Sequence, residues 1–214
     1  MSIAAKICGL SSEAAIAAAA AGGAAYVGFV FYPPSPRAVS PEEAARLCAA
    51  VPTRVRRVGM FVDADDAAIA AVLDVAPLDI LQFHGHESPG RVAEAKVRFD
   101  RLVMKAIAIA GPEDVLAAAP YEAAADLLLF DAKPPRCADA LPGGNGLAFD
   151  WHLIANREWR LPWMLSGGLT AALLPEAVRI SGAAAVDVSS GVERRPGDKD
   201  PAKIREFLAV ARGL

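Results

Sequence analysis

Short, solidly apolar runs alternate with alanine-rich stretches of helical composition along the whole chain. The runs at Ala4–Cys8, Tyr26–Phe31, Arg56–Phe61, Asp79–Phe83, Leu102–Ala106, Leu127–Phe130, Trp163–Leu165 and Ala185–Val188 read as strands. Most lack polar alternation, as strands buried on both faces of a parallel sheet do. Between them, Ser12–Ala21, Pro41–Ala50, Ala67–Val75, Pro89–Phe99, Pro112–Ala118, Trp151–Ala155, Ala171–Ile180 and Ala202–Ala211 read as helices. Ser40-Pro41-Glu42-Glu43 supplies an N-cap serine, a first-turn proline and a capping-box glutamate. Gly182 follows the helix ending near Ile180, where a C-terminal glycine belongs.

Eight β/α units in 214 residues give about 27 residues each, close to the lower bound for a closed barrel. Neither a linker nor a low-complexity stretch interrupts the series. The pattern therefore predicts an α/β fold, a single-domain (β/α)8 TIM barrel over residues 1–214. The competitor is a doubly wound open sheet, which uses fewer strands and a glycine-rich first turn. Here the first turn is Cys8-Gly9-Leu10-Ser11 and the glycine-rich turns come late, which favours the barrel.

Composition narrows the function. The apolar share of 54% and mean hydropathy of +0.31 are high, but much of that is alanine. The longest apolar run, residues 14–31, is split by Gly22-Gly23 and followed by Pro33-Pro34, so a membrane span is not expected. With 22 Lys+Arg against 25 Asp+Glu, the net charge of −3 leaves no basic field for nucleic acid or anionic membrane. Met1-Ser2-Ile3-Ala4-Ala5-Lys6 lacks a signal-peptide pattern. Cys8, Cys48 and Cys137 are odd in number and far apart, which fits neither a disulfide framework nor a zinc site. A cytoplasmic protein with free thiols is expected.

Function in such a barrel sits at the C-terminal strand ends. Those ends carry Lys6-Ile7-Cys8 on strand 1, the loop Pro33–Arg37 after strand 2, Asp63 after strand 3, and Gln82, His84 and His86 around strand 4. Asp131 and Lys133 follow strand 6, and Asp187 lies on strand 8. Three glycine-rich turns cluster late: Gly143-Gly144-Asn145-Gly146, Ser166-Gly167-Gly168 and Ser189-Ser190-Gly191. Their backbone N–H groups can converge on an anion, aided by a helix N-terminus, and a substrate phosphate is the first inference. Cys8 reads either as a small buried hydrophobe or as a reactive thiol, and Asp131 as a loop cap or a functional acid. Arg37 is either solvated or, stiffened by its neighbouring prolines, presented to a ligand. His84 and His86 are spaced to face one way on a strand, yet no third metal ligand is evident, so no metal is expected. Cys48 and Cys137 are given no role.

The blocks Lys6-Ile7-Cys8-Gly9-Leu10, Val27-Gly28-Phe29-Val30-Phe31 with Ser35-Pro36-Arg37, Gly59-Met60-Phe61-Val62-Asp63 and Leu81-Gln82-Phe83-His84-Gly85 stand in one order. Phe130-Asp131, Pro142-Gly143-Gly144-Asn145-Gly146, Phe149-Asp150-Trp151 and Ser166-Gly167-Gly168-Leu169 continue it. The most specific block is Val186-Asp187-Val188-Ser189-Ser190-Gly191-Val192-Glu193, followed by Pro196-Gly197 and Lys199-Asp200. In order and spacing this set resembles the phosphoribosylanthranilate isomerase family, nearly end to end. Asn145 departs from the Thr or Ser more usual there, and Phe83 from Leu.

The resemblance implies an Amadori rearrangement in tryptophan biosynthesis. The aminoaldose N-(5′-phosphoribosyl)anthranilate would become 1-(2-carboxyphenylamino)-1-deoxyribulose 5-phosphate. It implies Asp131 as the general acid that opens the ring and Cys8 as the general base at C2′, which requires a protonated carboxyl and a thiolate. The substrate nitrogen is the electron sink, so no cofactor is expected. Arg37 would pair with the anthranilate carboxylate, Asp187 would accept from a sugar hydroxyl, and Gln82 and His84 would line the pocket. Gly144, Gly146, Gly167, Gly168, Ser189 and Ser190 would hold the phosphate. The expected partner is a small phosphosugar, with neither nucleic acid nor membrane, and the chain a monomer or homodimer. Two alternatives remain: a related phosphate-binding barrel acting on another phosphosugar or aminoaldose, and a catalytically silent barrel that only binds one.

Overall fold

The computed structural model describes residues 3–134 and 142–214. Eight parallel strands close into a barrel in chain order: β1 (Ala4–Cys8), β2 (Tyr26–Phe31), β3 (Arg56–Phe61), β4 (Ile80–Phe83), β5 (Leu102–Ile109), β6 (Leu127–Ala132), β7 (Trp163–Leu165) and β8 (Ala185–Val188). The helices around them are α1 (Glu13–Gly22), α2 (Pro41–Ala49), α3 (Asp66–Leu73), α4 (Pro89–Phe99), α5 (Pro112–Leu116), α6 (Leu174–Ser181) and α7 (Pro201–Gly213). The expected fold class holds.

The period-2 alternation of side chains divides the core in two. One set of strand residues, including Ala5, Ile7, Leu81, Phe83, Leu128 and Phe130, packs outward against the helices. The other set, Val58, Ile80, Met104, Ala106, Leu127, Leu129 and Met164, fills the barrel lumen. Most strand residues are thus buried on whichever face they point to, which explains the absence of polar alternation. Where a lumen position near the C-terminal end is polar, as at Asp131, the residue has no apolar role to fill. Asp131 lines the mouth.

The helix starts follow local chemistry. Ser40 and Glu43 form the expected capping box ahead of α2, with Glu43 N donating to Ser40 Oγ at 3.1 Å and Ser40 N to Glu43 Oε2 at 2.8 Å. Ser12 Oγ accepts from Ala15 N at 3.3 Å, and Gly182 takes φ 72° to end α6. The largest departures from the predicted helices lie in the second half of the barrel. Pro120 cannot donate to the carbonyl a turn back, so α5 stops at Leu116 and a 3-10 turn, Ala119–Ala123, follows. The stretch predicted as helix over residues 151–155 is a single 3-10 turn, Trp151–Leu153, ahead of left-handed Asn156 (φ 54°). Pro175 fits only a first turn, and α6 begins at Leu174 rather than Ala171.

Two strand-level differences matter for the site. First, β6 runs to Ala132, so Asp131 lies on the strand itself, paired with Ala108 of β5, rather than in the loop after it. Second, an unpredicted hairpin, β9 (Glu193–Arg195) with β10 (Asp198–Lys199), follows β8. Its turn lies against the loop after β2: a Cβ on Gly197 would sit 2.4 Å from the Pro36 carbonyl oxygen. That contact brings Glu193 and Lys199 up beside Arg37.

Candidate active site

The mouth is a pocket lined by Cys8, Arg37, His84, Asp131 and Asp187 together with the three late glycine-rich turns. Lys6 and Cys8, two residues apart on β1, share the lumen face. Lys6 is fully buried, stands opposite Asp187 in the β1–β8 register, and donates to Asp187 Oδ1 at 2.9 Å. Ser166 Oγ donates to the other oxygen, Oδ2, at 3.2 Å. Burial works to strip the Lys6 proton, but the Asp187 carboxylate and Cys8 outweigh it and hold the ammonium above the ordinary lysine range. Burial likewise pushes the Cys8 thiol up, the Lys6 ammonium pulls it back, and the Asp187 carboxylate adds to the rise. Gly28 on β2 makes this arrangement possible, because a Cβ there would lie 2.9 Å from Cys8 Sγ and 3.3 Å from Lys6 Nζ.

Across the barrel, Asp131 Oδ1 accepts from Ala132 N at 2.9 Å and Oδ2 lies 3.2 Å from His84 Nε2. His84 Nδ1 in turn lies 2.9 Å from Gln82 Nε2. The loop carrying His84 is braced by a buried network. Lys105 Nζ donates to Glu87 Oε2 (2.8 Å) and to the Gly85 carbonyl (2.6 Å), while Glu87 accepts from Asp63 N (2.8 Å) and Gly85 N (3.0 Å). β4 ends at Phe83, so His84 turns into the mouth while His86 is exposed, and the two do not share a face as their spacing suggested. Among the described residues no group of His, Cys, Asp or Glu could hold a metal ion.

Three expectations need correction. Gln82 does not line the pocket: it is fully buried beneath His84 and touches the mouth only through that ring. Arg37 does line it but is not an uncommitted cation. Its Nε and Nη2 already grip Glu193 at 2.8 and 2.9 Å, and Nη2 reaches the Gly144 carbonyl at 3.3 Å. Only Nη1 has no partner among the described residues. It faces Gly144, where a Cβ would lie 2.6 Å away. The expected helix N-terminus at the glycine turns is a three-residue 3-10 turn, Ser190–Val192, so the donors there are loop amides.

Those turns otherwise meet as expected. Gly144, Gly146, Gly167, Gly168, Ser189 and Ser190 line one side of the pocket. Gly144, Gly146, Gly167 and Gly168 have φ of 75°, 71°, 89° and 63°, the left-handed region that other residues avoid. A Cβ on Gly168 would lie 2.8 Å from the Leu147 backbone, so the turns after β6 and β7 touch. The amides of Gly144, Gly146, Gly168 and Ser190 make no hydrogen bond among the described residues.

Sequence reasoning named Lys6, Glu193 and Lys199 but gave them no role. Lys6 stands at a lumen position two residues before Cys8, where its charge was legible. Local pattern says nothing of what Glu193 and Lys199 meet: they are buried because the hairpin folds back on Arg37. Lys199 donates to Glu193 Oε1 at 2.7 Å and to the Ser189 carbonyl at 2.8 Å. Burial pushes the Glu193 carboxyl up, but Arg37 and Lys199 overcome it and hold the group below its ordinary value. Cys137, given no role from the sequence, lies outside the described residues.

Comparison with known proteins agrees with this geometry. A family model described as N-(5′-phosphoribosyl)anthranilate (PRA) isomerase matches residues 5–210. A relative from Rhodospirillum centenum named N-(5′-phosphoribosyl)anthranilate isomerase is 58% identical over 214 residues, covering 100% of both chains. Among solved structures, a monomer generated from the dimeric enzyme of that name from Thermotoga maritima has a TM-score of 0.84 at 36% identity, covering 99% of this chain and 100% of that one. A phosphoribosyl anthranilate isomerase in complex with reduced 1-(o-carboxyphenylamino)-1-deoxyribulose 5-phosphate has a TM-score of 0.85 at 35% identity, with the same coverage. Among the described residues no helix is long and apolar enough to cross a membrane.

Proposed function

As the chain belongs to the N-(5′-phosphoribosyl)anthranilate isomerase family, we propose that its barrel, acting as a single domain in the cytosol, performs that family's Amadori rearrangement in tryptophan biosynthesis. The phosphate enters the side of the mouth where the amides of Gly144, Gly146, Gly168 and Ser190 are unpaired, with Gly167 and Ser189 shaping the turns. The anthranilate carboxylate meets Arg37 Nη1. Asp187, already carrying Lys6 and Ser166, accepts from a sugar hydroxyl.

Asp131 delivers a proton to the furanose ring oxygen as the bond from C1′ to that oxygen breaks. The bond's electron pair goes to the oxygen, and the nitrogen lone pair forms a C1′=N iminium. Cys8, as thiolate, then takes the C2′ proton. The electrons of that C–H bond form C1′=C2′ and return the iminium pair to nitrogen, giving an enolamine that tautomerises to the ketone. Lys6 favours the thiolate against burial, so a minor thiolate population carries the second step. The observation that carries this reading is the placement of Cys8 and Asp131, from β1 and β6, in one pocket roofed by three glycine turns. A sugar lying between them can be protonated from one side and deprotonated from the other.

The test is to mix purified protein with N-(5′-phosphoribosyl)anthranilate and follow the decay of anthranilate-type fluorescence. Turnover that falls with inorganic phosphate as competitor is expected. A folded protein that leaves the fluorescence unchanged would discard the assignment. Whether the chain pairs as a dimer is tested by light scattering.

A further inference from the structure

A buried acceptor behind the site is left without a partner. Gln82 Oε1 is inaccessible and makes no hydrogen bond, while Nε2 of the same amide lies against His84 Nδ1 at 2.9 Å. An orphaned amide oxygen inside a barrel is costly, and an apolar side chain of equal length, between register partners Met60 and Met104, would not carry that cost. The polar group needs another reason. In the orientation described, Gln82 Nε2–H donates to His84 Nδ1, and the ring proton on Nε2 points at the Asp131 carboxylate 3.2 Å away. Rotating the amide by half a turn puts Oε1 where Nε2 was. The oxygen then accepts from a protonated Nδ1, and the amide NH2 takes the position in which Oε1 had no partner. That second arrangement carries one more proton on the His84–Asp131 pair than the first.

We propose that Gln82 is a positioning residue which, through the orientation of its amide, sets the protonation of His84 and so loads Asp131 with the proton used in ring opening. The proposal rests on the assignment of Asp131 as the acid. In the loaded form His84 carries protons on both nitrogens, or it passes the Nε2 proton to Asp131 Oδ2. On ring opening the pair loses one proton to the ring oxygen, and solvent restores it. The neighbouring charges among the described residues are paired elsewhere: Lys6 to Asp187, Arg37 and Lys199 to Glu193, and Lys105 to Glu87. Cys8, the remaining titratable group of the pocket, lies with Lys6 on β1. Among the described residues Asp131 Oδ2 faces His84 Nε2, and His84 Nδ1 faces the Gln82 amide.

Two substitutions separate positioning from packing. Gln82→Met keeps the volume and removes both amide roles, whereas Gln82→Glu keeps an acceptor and removes the donor. Nitrogen-15 NMR of the histidine rings, with His84 assigned from a His84→Asn sample, reads the midpoint at which Nδ1 gains its proton. The expected midpoint is lower than wild type in Gln82→Met and higher in Gln82→Glu. Turnover of N-(5′-phosphoribosyl)anthranilate should drop roughly ten-fold or more in Gln82→Met, the loss typical of removing a partner that orients a reacting group, with KM little changed. Gln82→Glu should restore part of it. Identical midpoints in all three proteins would overturn the proposal, however far turnover fell, since packing alone does not touch the ring's charge. Should neither variant fold, the wild type decides: a Nδ1 that never gains a proton across the pH range where kcat changes overturns it. Full turnover in Asp131→Asn would instead remove the acid assignment beneath it.

Discussion

Replacing Lys6 with Met tests the hidden electrostatics of the mouth. Lys6 Nζ sits 2.9 Å from Asp187 Oδ1, with side-chain exposures of 0% and 5%. Methionine matches the lysine stem but leaves Asp187 charged, buried and held only by Ser166 Oγ at 3.2 Å. Removing one partner of such a pair costs about 3–5 kcal/mol, because the survivor keeps its desolvation penalty without the attraction. At roughly 2–4 °C per kcal/mol for a chain of this size, the melting temperature should fall by about 6–20 °C. Thermal and urea unfolding measure the loss. The companion variant Lys6→Met/Asp187→Leu removes the stranded charge and should be more stable than Lys6→Met alone. The same substitution takes away the ammonium that pulls the Cys8 thiol down, so alkylation of Cys8 at a given pH should slow. If Lys6→Met stayed within about 1 kcal/mol of wild type, or the double variant were no more stable than the single, the pair would be worth no more than an exposed bridge and the reasoning would be refuted.

Asp131→Asn keeps the shape of the acid but not its proton, and kcat should fall by about 10²–10⁴ in a protein with unchanged melting temperature. Cys8→Ser should cost roughly 1 kcal/mol of stability but nearly all turnover, and mass-mapped alkylation should track activity loss at Cys8. Cys48, which burial pushes up to about 11, serves as the unreactive control. Gly168→Ala drives a methyl into the Leu147 backbone at a left-handed φ, and should raise KM for the phosphosugar more than for a dephosphorylated analogue. Glu193 is held below its ordinary 4.5 by Arg37 and Lys199, so its stabilisation is full above about that pH and is lost as pH falls through the lowered value. Glu193→Gln should therefore unfold in urea with a flatter acid-side dependence than wild type.

The chain alone determined the architecture and much of the site, because both were written in local pattern. Eight apolar runs, capped helices such as the one after Ser40, and glycines bunched after the last three strands are short-range features. Closure in chain order follows once each strand must bury both faces. The places of Cys8 and Asp131 at the mouth were legible for the same reason, since each stands at the end of an apolar run. Tertiary structure decided how the charges pair. Arg37 finds Glu193 across 156 positions, and Lys6 finds Asp187 across 181. Arg37 therefore arrives at the mouth already held, and Lys6 becomes the group that tunes Cys8. Gln82, expected in the pocket wall, lies one layer below it, since strand alternation stacks it beneath His84. Buried charge and amide orientation depend on what lies within a few ångströms, and sequence order does not record that distance.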